Sequence, residues 1–307
     1  MLPESFTVFE LHYMLTSKLR IGAYQRGFTL TTLPFIPSYT IWGALVESIT
    51  KRLSFNIDCD SEIDKLYEDV KNKVLYKTIF PTSFYPINED AIFTDSYVST
   101  AIDNSTKSAI DESLHESEFI SPYESTLKDD NLKNVVFVGY IVVKSNWLQH
   151  IDKTLNIPLE TFITSIQVGA DRKYGFGQLT LKEKKSVEVV FDTFCVYERS
   201  VPKKSSSVDN DSRLIFATNP TLLQSSKTIK IAPVKYFEDD QKNPFPVIGN
   251  IQPYVSRRTE SSMKYGRTLS KPIVCFSPEA TINDDVELSF MEDYPGILEY
   301  IKEPTSQ

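Results

Sequence analysis

Gly169 to Leu179 reads GADRKYGFGQL, three glycines and the adjacent cations Arg172 and Lys173, in a chain of 307 residues that has only 10 glycines. Residues of these types suit one kind of chemistry. Glycine lacks Cβ, so a backbone carrying Gly169, Gly175 and Gly177 can take positive φ and let a phosphodiester lie against its amides. Arg172 and Lys173 would then meet phosphates, and Tyr174 or Phe176 would stack on a base or ribose. The competing reading is a helix-to-strand turn with glycine at its C-cap, common where nothing is bound, with Phe176 pointing into the core. A P-loop and a dinucleotide fingerprint are excluded, because no GK[ST] follows and the glycines open a strand rather than a helix.

The net charge of −8 at first argues against nucleic acid, but the charge is segregated. From Glu89 to Asp130 eleven acids oppose Lys107 and Lys128, a local charge of −9 that leaves the rest of the chain near +1. Lys18, Arg20 and Arg26 follow the first predicted strand, and Lys51 and Arg52 end the first predicted helix. Arg257, Arg258, Lys264, Arg267 and Lys271 face a single acid, Glu260, around Tyr265 and Gly266. Charges farther apart than about 10 Å are largely screened at 0.1 M salt, so phosphate attraction depends on such local clusters and not on the total. Each cluster alone reads equally as a solvated face. Their coincidence with glycines favours nucleic acid.

The elements that must position these residues follow from periodicity. FTVFELHYML alternates Phe9, Leu11, Tyr13 and Leu15 against Glu10, His12 and Met14, the pattern of a half-buried strand. SKLRIGAYQRGFTLTTLPF has no helical period and reads as a long loop. In IPSYTIWGALVESITKRL, Ser38 is the expected N-cap, Ile41, Leu45, Ile49 and Leu53 share a face, and Lys51 and Arg52 suit the C-terminal end of the dipole. Residues 54–133 form an acidic, polar insertion with weak strands near LYKTIFPTSFY and AIFTDSYVS. KNVVFVGYIVVKS reads as a buried strand, and IPLETFITSIQVG as a second helix with Leu159, Phe162, Ile163 and Ile166 on one face, capped at Gly169. GQLTLKEKK follows as a strand with Leu179 and Leu181 inward.

This order predicts an α+β fold, a ferredoxin-like (RRM-like) βαββαβ domain over 1–185 with the insertion inside it. A β-rich second domain is expected over 186–307, with one candidate helix at PGILEYIKE and a mobile loop at VPKKSSSVDNDS. Cys59, Cys195 and Cys275 lie far apart without CxxC spacing, which argues against a zinc knuckle or disulfide framework and fits buried small hydrophobes in a reducing cytosol. The N-terminus has no basic region followed by an apolar run, and no stretch approaches the ~18 apolar residues of a membrane span. The expected location is cytoplasmic, with no membrane contact.

Three stretches, in order, resemble the repeat-associated RAMP superfamily of CRISPR proteins. The glycine loop ending GFG is similar to the superfamily's signature, and FIPSYTIWGALVESITKRL resembles its lead into the first helix. STAIDNSTKSAIDESLHESEFI, 99–120, resembles a segment that forms a projecting thumb in type III subunits, although Asn104, Lys107 and His115 depart from the usual Arg, Gly and aromatic. The resemblance covers residues 36–177. It implies a CRISPR RNA-binding subunit that holds the 5′ repeat-derived handle of the guide and caps the backbone of a type III effector complex. Its partners would be guide RNA, the large polymerase-like subunit and the repeated backbone subunits, with target RNA met indirectly.

Charge clusters, the glycine loop and the resemblance together give the residues expected to bind RNA: Lys18, Arg20, Tyr24, Arg26, Ser38, Tyr39, Lys51, Arg52, Gly169, Arg172, Lys173, Tyr174, Gly175, Phe176 and Gly177, with Arg257, Arg258, Lys264, Tyr265 and Arg267 in the second half. No cofactor or metal is expected. A guide-processing nuclease of this superfamily commonly uses a histidine near the loop after the first strand or in the first helix, whereas this chain has only His12, His115 and His150, none of them within residues 17–53. A target-cutting backbone subunit places an Asp after the first strand, and Ser17 to Pro37 contains no acid. Both departures favour a noncatalytic role. The alternatives are a metal-independent endoribonuclease using Lys18 with Tyr24 or Tyr39, a repeated backbone subunit, and a RAMP-like fold that binds only protein.

Overall fold

The computed structural model describes residues 6–55, 57–71, 79–110, 113–125, 133–144 and 158–187, and beyond these a series of strands between 194 and 300. The chain divides into two compact units, Thr7–Ser186 and Val187–Gln307 with Met1–Phe6.

The first unit is α+β. In chain order it contains β1 (Phe6–Leu15), β2 (Gly22–Arg26), β3 (Thr29–Thr32), α1 (Ser38–Leu53), α2 (Asp60–Asp69), β4 (Ile79–Pro81) and β5 (Tyr85–Pro86). There follow β6 (Thr94–Ser99), β7 (His115–Ile120), β8 (Val136–Lys144), α3 (Glu160–Ile163), β9 (Ser165–Gln167) and β10 (Gln178–Val187). One sheet runs in the order β4, β8, β1, β10, β9, with β5 also paired to β8, and a second runs β2, β3, β7, β6.

The alternation in β1 decides which of its faces is buried. Leu11, Tyr13 and Leu15 are buried against Ile41, Leu45 and Ile49 of α1, with Phe84, Phe137, Phe162, Ile163 and Leu179 completing one core. Tyr13 donates its hydroxyl to Ile163 O at 2.6 Å, which satisfies the phenol where burial pushes its pKa up. Lys51 and Arg52 occupy the last turn of α1, as expected.

Several local expectations change. Ser38 is the first helical residue and Pro37 holds the N-cap position. The backbone pairing of Ile36 with Phe84, at 2.9 and 2.8 Å, draws this segment into the core, where Ser38 is fully buried and its amide donates to Ser83 Oγ. The expected long loop after β1 is the β2–β3 hairpin, turned at Gly27 with φ 59°. Its pull toward strand is tertiary, because β3 pairs in parallel with β7, far downstream. The insertion supplies that partner as the β6–β7 hairpin, whose Phe119 and Ile120 are buried.

The expected second helix is confined, among the described residues, to Glu160–Ile163. Ile166 instead lies in β9, opposite Leu179 of β10, because an antiparallel ladder satisfies the backbone of Ser165–Gln167. Residues 145–157 lie outside the described residues.

The described residues of the second unit are strands. Phe194–Val201 pairs with Asp211–Thr218 within a seven-stranded sheet, and the loop expected between them falls mostly outside the described residues. Leu298–Tyr300 is a strand paired with Glu287–Phe290, where a helix was expected. Cys275 is buried, whereas Cys59 is exposed beside Ser61 at the head of α2. Among the described residues no helix is long and apolar enough to cross a membrane.

Candidate nucleic-acid interface

The glycine segment is the turn of the β9–β10 hairpin. Gln178 pairs with Gln167 across its base, and the Gln167 amide donates inward to Arg172 O at 2.8 Å and Phe176 O at 2.9 Å. Both ends are pinned to the segment after β1. Ala170 N donates to Arg20 O at 2.8 Å, and Gly177 N donates to Lys18 O at 2.7 Å.

The three glycines differ in what they do. A Cβ on Gly169 would stand 2.3 Å from Arg20 O, and one on Gly177 would stand 1.8 Å from Val168 O, so both serve close backbone packing at positive φ. Gly175, with φ 84°, has nothing within 4 Å of its Cβ position. Of the three it is the one open to a ligand. It follows a short 3-10 turn, Arg172–Tyr174, entered through Asp171 at φ 57°.

The cations are held in different ways. Arg20 lies 2.6 Å from Asp171 Oδ2, with the two side chains 13% and 18% exposed, and Tyr97 donates to the same oxygen at 2.9 Å. Burial first, and then this bond to Asp171, pushes the Tyr97 phenol up. Arg172 crosses to Glu47 of α1, which also holds Lys51 at 2.6 Å. Lys173 lies over the exposed ring of Tyr174, 4.8 Å from its centroid. Lys18 stands 4.2 Å over Phe119 and 5.9 Å from Phe176.

Phe176 is half-buried in a trio with Phe119 and Tyr97, at centroid distances of 6.0 and 5.8 Å. Of the two aromatics in the loop, Tyr174 is therefore the exposed one. Arg26 is exposed at the end of β2, Tyr39 is half-buried in the first turn of α1, and Ser38 faces the core. Tyr24 lies in β2, but its side chain falls outside the described residues.

Beside the loop, α1 and β9 enclose a shallow groove of about 760 Å³ lined by Glu47, Lys51, Arg52, Phe55, Gln167 and Gln178. Phe55 is 88% exposed. Sequence reasoning singled out neither Glu47 nor Phe55. The i,i+4 spacing of Glu47 and Lys51 is the one signal that could have found the former.

In the second unit Arg257 and Arg258 form a short strand paired with Thr268–Leu269, and Lys264, Tyr265 and Arg267 lie outside the described residues. His12 Nε2 lies 2.6 Å from Glu10, a bond that holds the Glu10 carboxyl below its usual value. His115 Nε2 lies 2.8 Å from Ser99 Oγ, and His150 is outside the described residues.

No family model and no curated protein matches the chain. Solved structures do. One chain of "Cryo-EM structure of the Type III-B Cmr-beta bound to cognate target RNA" is 14% identical at a TM-score of 0.37, over 60% of this chain and 61% of that one. This protein thus spans about three-fifths of that chain's length. A chain of "Cryo-EM structure of the Type III-B Cmr-beta bound to cognate target RNA and AMPPnP, state 1" is 9% identical at 0.45, over 95% and 99%. A chain of "Type III-B Cmr-beta Cryo-EM structure of the Apo state" is 11% identical at 0.34, over 60% and 98%.

Proposed function

We propose that this protein is a noncatalytic, RNA-binding RAMP subunit that holds the 5′ handle of a CRISPR guide and caps the backbone of a type III effector complex. The observation that carries this reading is Gly175. It leaves empty space at its Cβ position at positive φ, directly after Arg172, Lys173 and the exposed Tyr174, on a turn pinned at both ends to the Lys18–Arg20 backbone; its own N–H donates within the turn to Arg172 O at 2.9 Å, so the approach it opens is steric. A loop held in place before RNA arrives avoids the ordering cost that a mobile one would meet.

The sheet order supports the fold side of the proposal. β1 lies between β8 and β10, with β4 beyond β8, an order that favours a ferredoxin-like βαββαβ reading in which β2, β3, β5, β6, β7 and β9 are additions. The solved structures named above belong to type III-B complexes, two of them with cognate target RNA. Guide RNA, backbone subunits and the large subunit are the partners this reading assigns. A nuclease built on Lys18 has less support, because its ammonium stands over the Phe119 ring.

The test is binding and cleavage of labelled repeat RNA by the purified full chain in EDTA. Stable binding without a cut is the expected result, with Arg172→Ala plus Lys173→Ala lowering the salt slope by about 0.7 per lost phosphate contact. Cleavage at one position would favour the endoribonuclease, and binding insensitive to salt would remove the RNA reading.

A further inference from the structure

We propose that the groove between α1 and β9 is a single-nucleotide subsite, and that Glu47 holds its phosphate position until RNA displaces it. The inference rests on the RNA-binding reading above. Two cations from different elements converge on this one carboxylate, Arg172 from the loop and Lys51 from the helix. Neither ion pair is sealed from water: Glu47 is 28% exposed, Arg172 43% and Lys51 67%. Pairs this open are weak and exchangeable. A phosphodiester offers the same chemistry as the carboxylate, two oxygens sharing one negative charge, and an arginine fork accepts either.

The rest of the groove supplies what the carboxylate does not use. Arg52 and Phe55 line it on the side of α1, and Gln167 and Gln178 line it on the side of the hairpin. Phe55 presents an exposed ring on which a base can stack. The volume of about 760 Å³ lies within the roughly 300–1,000 Å³ of ordinary ligand sites. Glu47 thereby sets a threshold. An inorganic anion gains only the two cations and must expel the carboxylate to do so, whereas a nucleotide adds stacking on Phe55. The subsite selects single-stranded RNA over bare phosphate by this competition.

Glu47→Gln keeps the shape and removes the charge. In titrations of the purified full chain with a fluorescein-labelled single-stranded oligoribonucleotide, it should tighten binding about three- to tenfold at low salt. The salt slope should steepen by about 0.7 to 1.4, as one or two cations become free for phosphate. The same change in a Lys51→Ala, Arg172→Ala background should have no effect, and Phe55→Ala should weaken binding. Glu47→Ala with a melting curve guards against a folding artefact. RNA binding by the parent that Glu47→Gln leaves unchanged overturns the exchange alone. No RNA binding by the parent even at low salt overturns both this inference and the RNA reading beneath it.

Discussion

The guanidinium of Arg20 lies 2.6 Å from Asp171 Oδ2 although the two residues are 151 positions apart. The pair, with Tyr97 on the same oxygen, ties the glycine turn to the segment after β1 and to β6. Arg20 is consequently a scaffold for the turn, and its charge is met inside the protein.

Removing Arg20 leaves the Asp171 carboxylate largely buried with only the Tyr97 hydroxyl on that oxygen, and neutralising Asp171 leaves the largely buried Arg20 without its counter-charge. Arg20→Ala and Asp171→Asn should each cost about 2 kcal/mol, less than a fully buried pair because some water reaches both side chains. That corresponds to a melting point lower by roughly 4 to 8 °C for a unit of this size. Thermal denaturation of the two variants is the measurement, and unchanged melting would show that the pair contributes nothing.

The three glycines should separate by experiment. Gly177→Ala places a Cβ 1.8 Å from Val168 O and should destabilise by about 3 kcal/mol or prevent folding. Gly175→Ala meets no atom and carries only the positive-φ penalty of about 1 to 2 kcal/mol. Gly175→Val should stay folded and lose RNA. Circular dichroism paired with RNA retention distinguishes the two positions.

Acid should reveal the contact between Glu10 and His12. The hydrogen bond from His12, the largest influence, holds the Glu10 carboxyl below the usual glutamate value of 4.5. A carboxyl whose folded value is depressed contributes stability above its unfolded value, and that contribution is lost as pH falls through the folded one. The melting-point advantage of the parent over Glu10→Gln should therefore shrink as pH drops below about 4.5. A constant gap down to about pH 3 would refute the linkage.

The β6–β7 hairpin divides into a core stem and an apolar tip. Phe119 and Ile120 are buried in the stem, while Val98, Ile102, Ile110 and Leu114 are exposed toward the tip. Replacing residues 101–112 by a two-residue turn should preserve folding and RNA binding but impair assembly with a neighbouring subunit. Co-purification of the complex tests this. Loss of RNA binding by the folded, isolated variant would assign the tip to RNA instead.

β1, α1, β8 and β10 were legible because their burial repeats at the period of their own backbone. Leu11, Tyr13 and Leu15 alternate, and Ile41, Leu45 and Ile49 recur every four residues. β3 and β9 were not legible, since each owes its conformation to a partner strand, β7 and β10 respectively. At the site, the glycines and cations were visible as types. Their division of labour was not, because Arg20 finds Asp171, and Arg172 finds Glu47, only through the folded chain.

The position of β1 has a consequence for synthesis. It is made well before both of its neighbours in the sheet, β8, starting at Val136, and β10, starting at Gln178. At about 5 to 20 residues per second, an apolar strand waits on the order of ten seconds without either neighbour. Such a strand is open during that time to pairing with other nascent chains. Holding contacts between residues this far apart in sequence also makes for slow folding. Expression at low temperature, or with added chaperone, should therefore raise the yield of soluble protein more than stabilising the finished fold would.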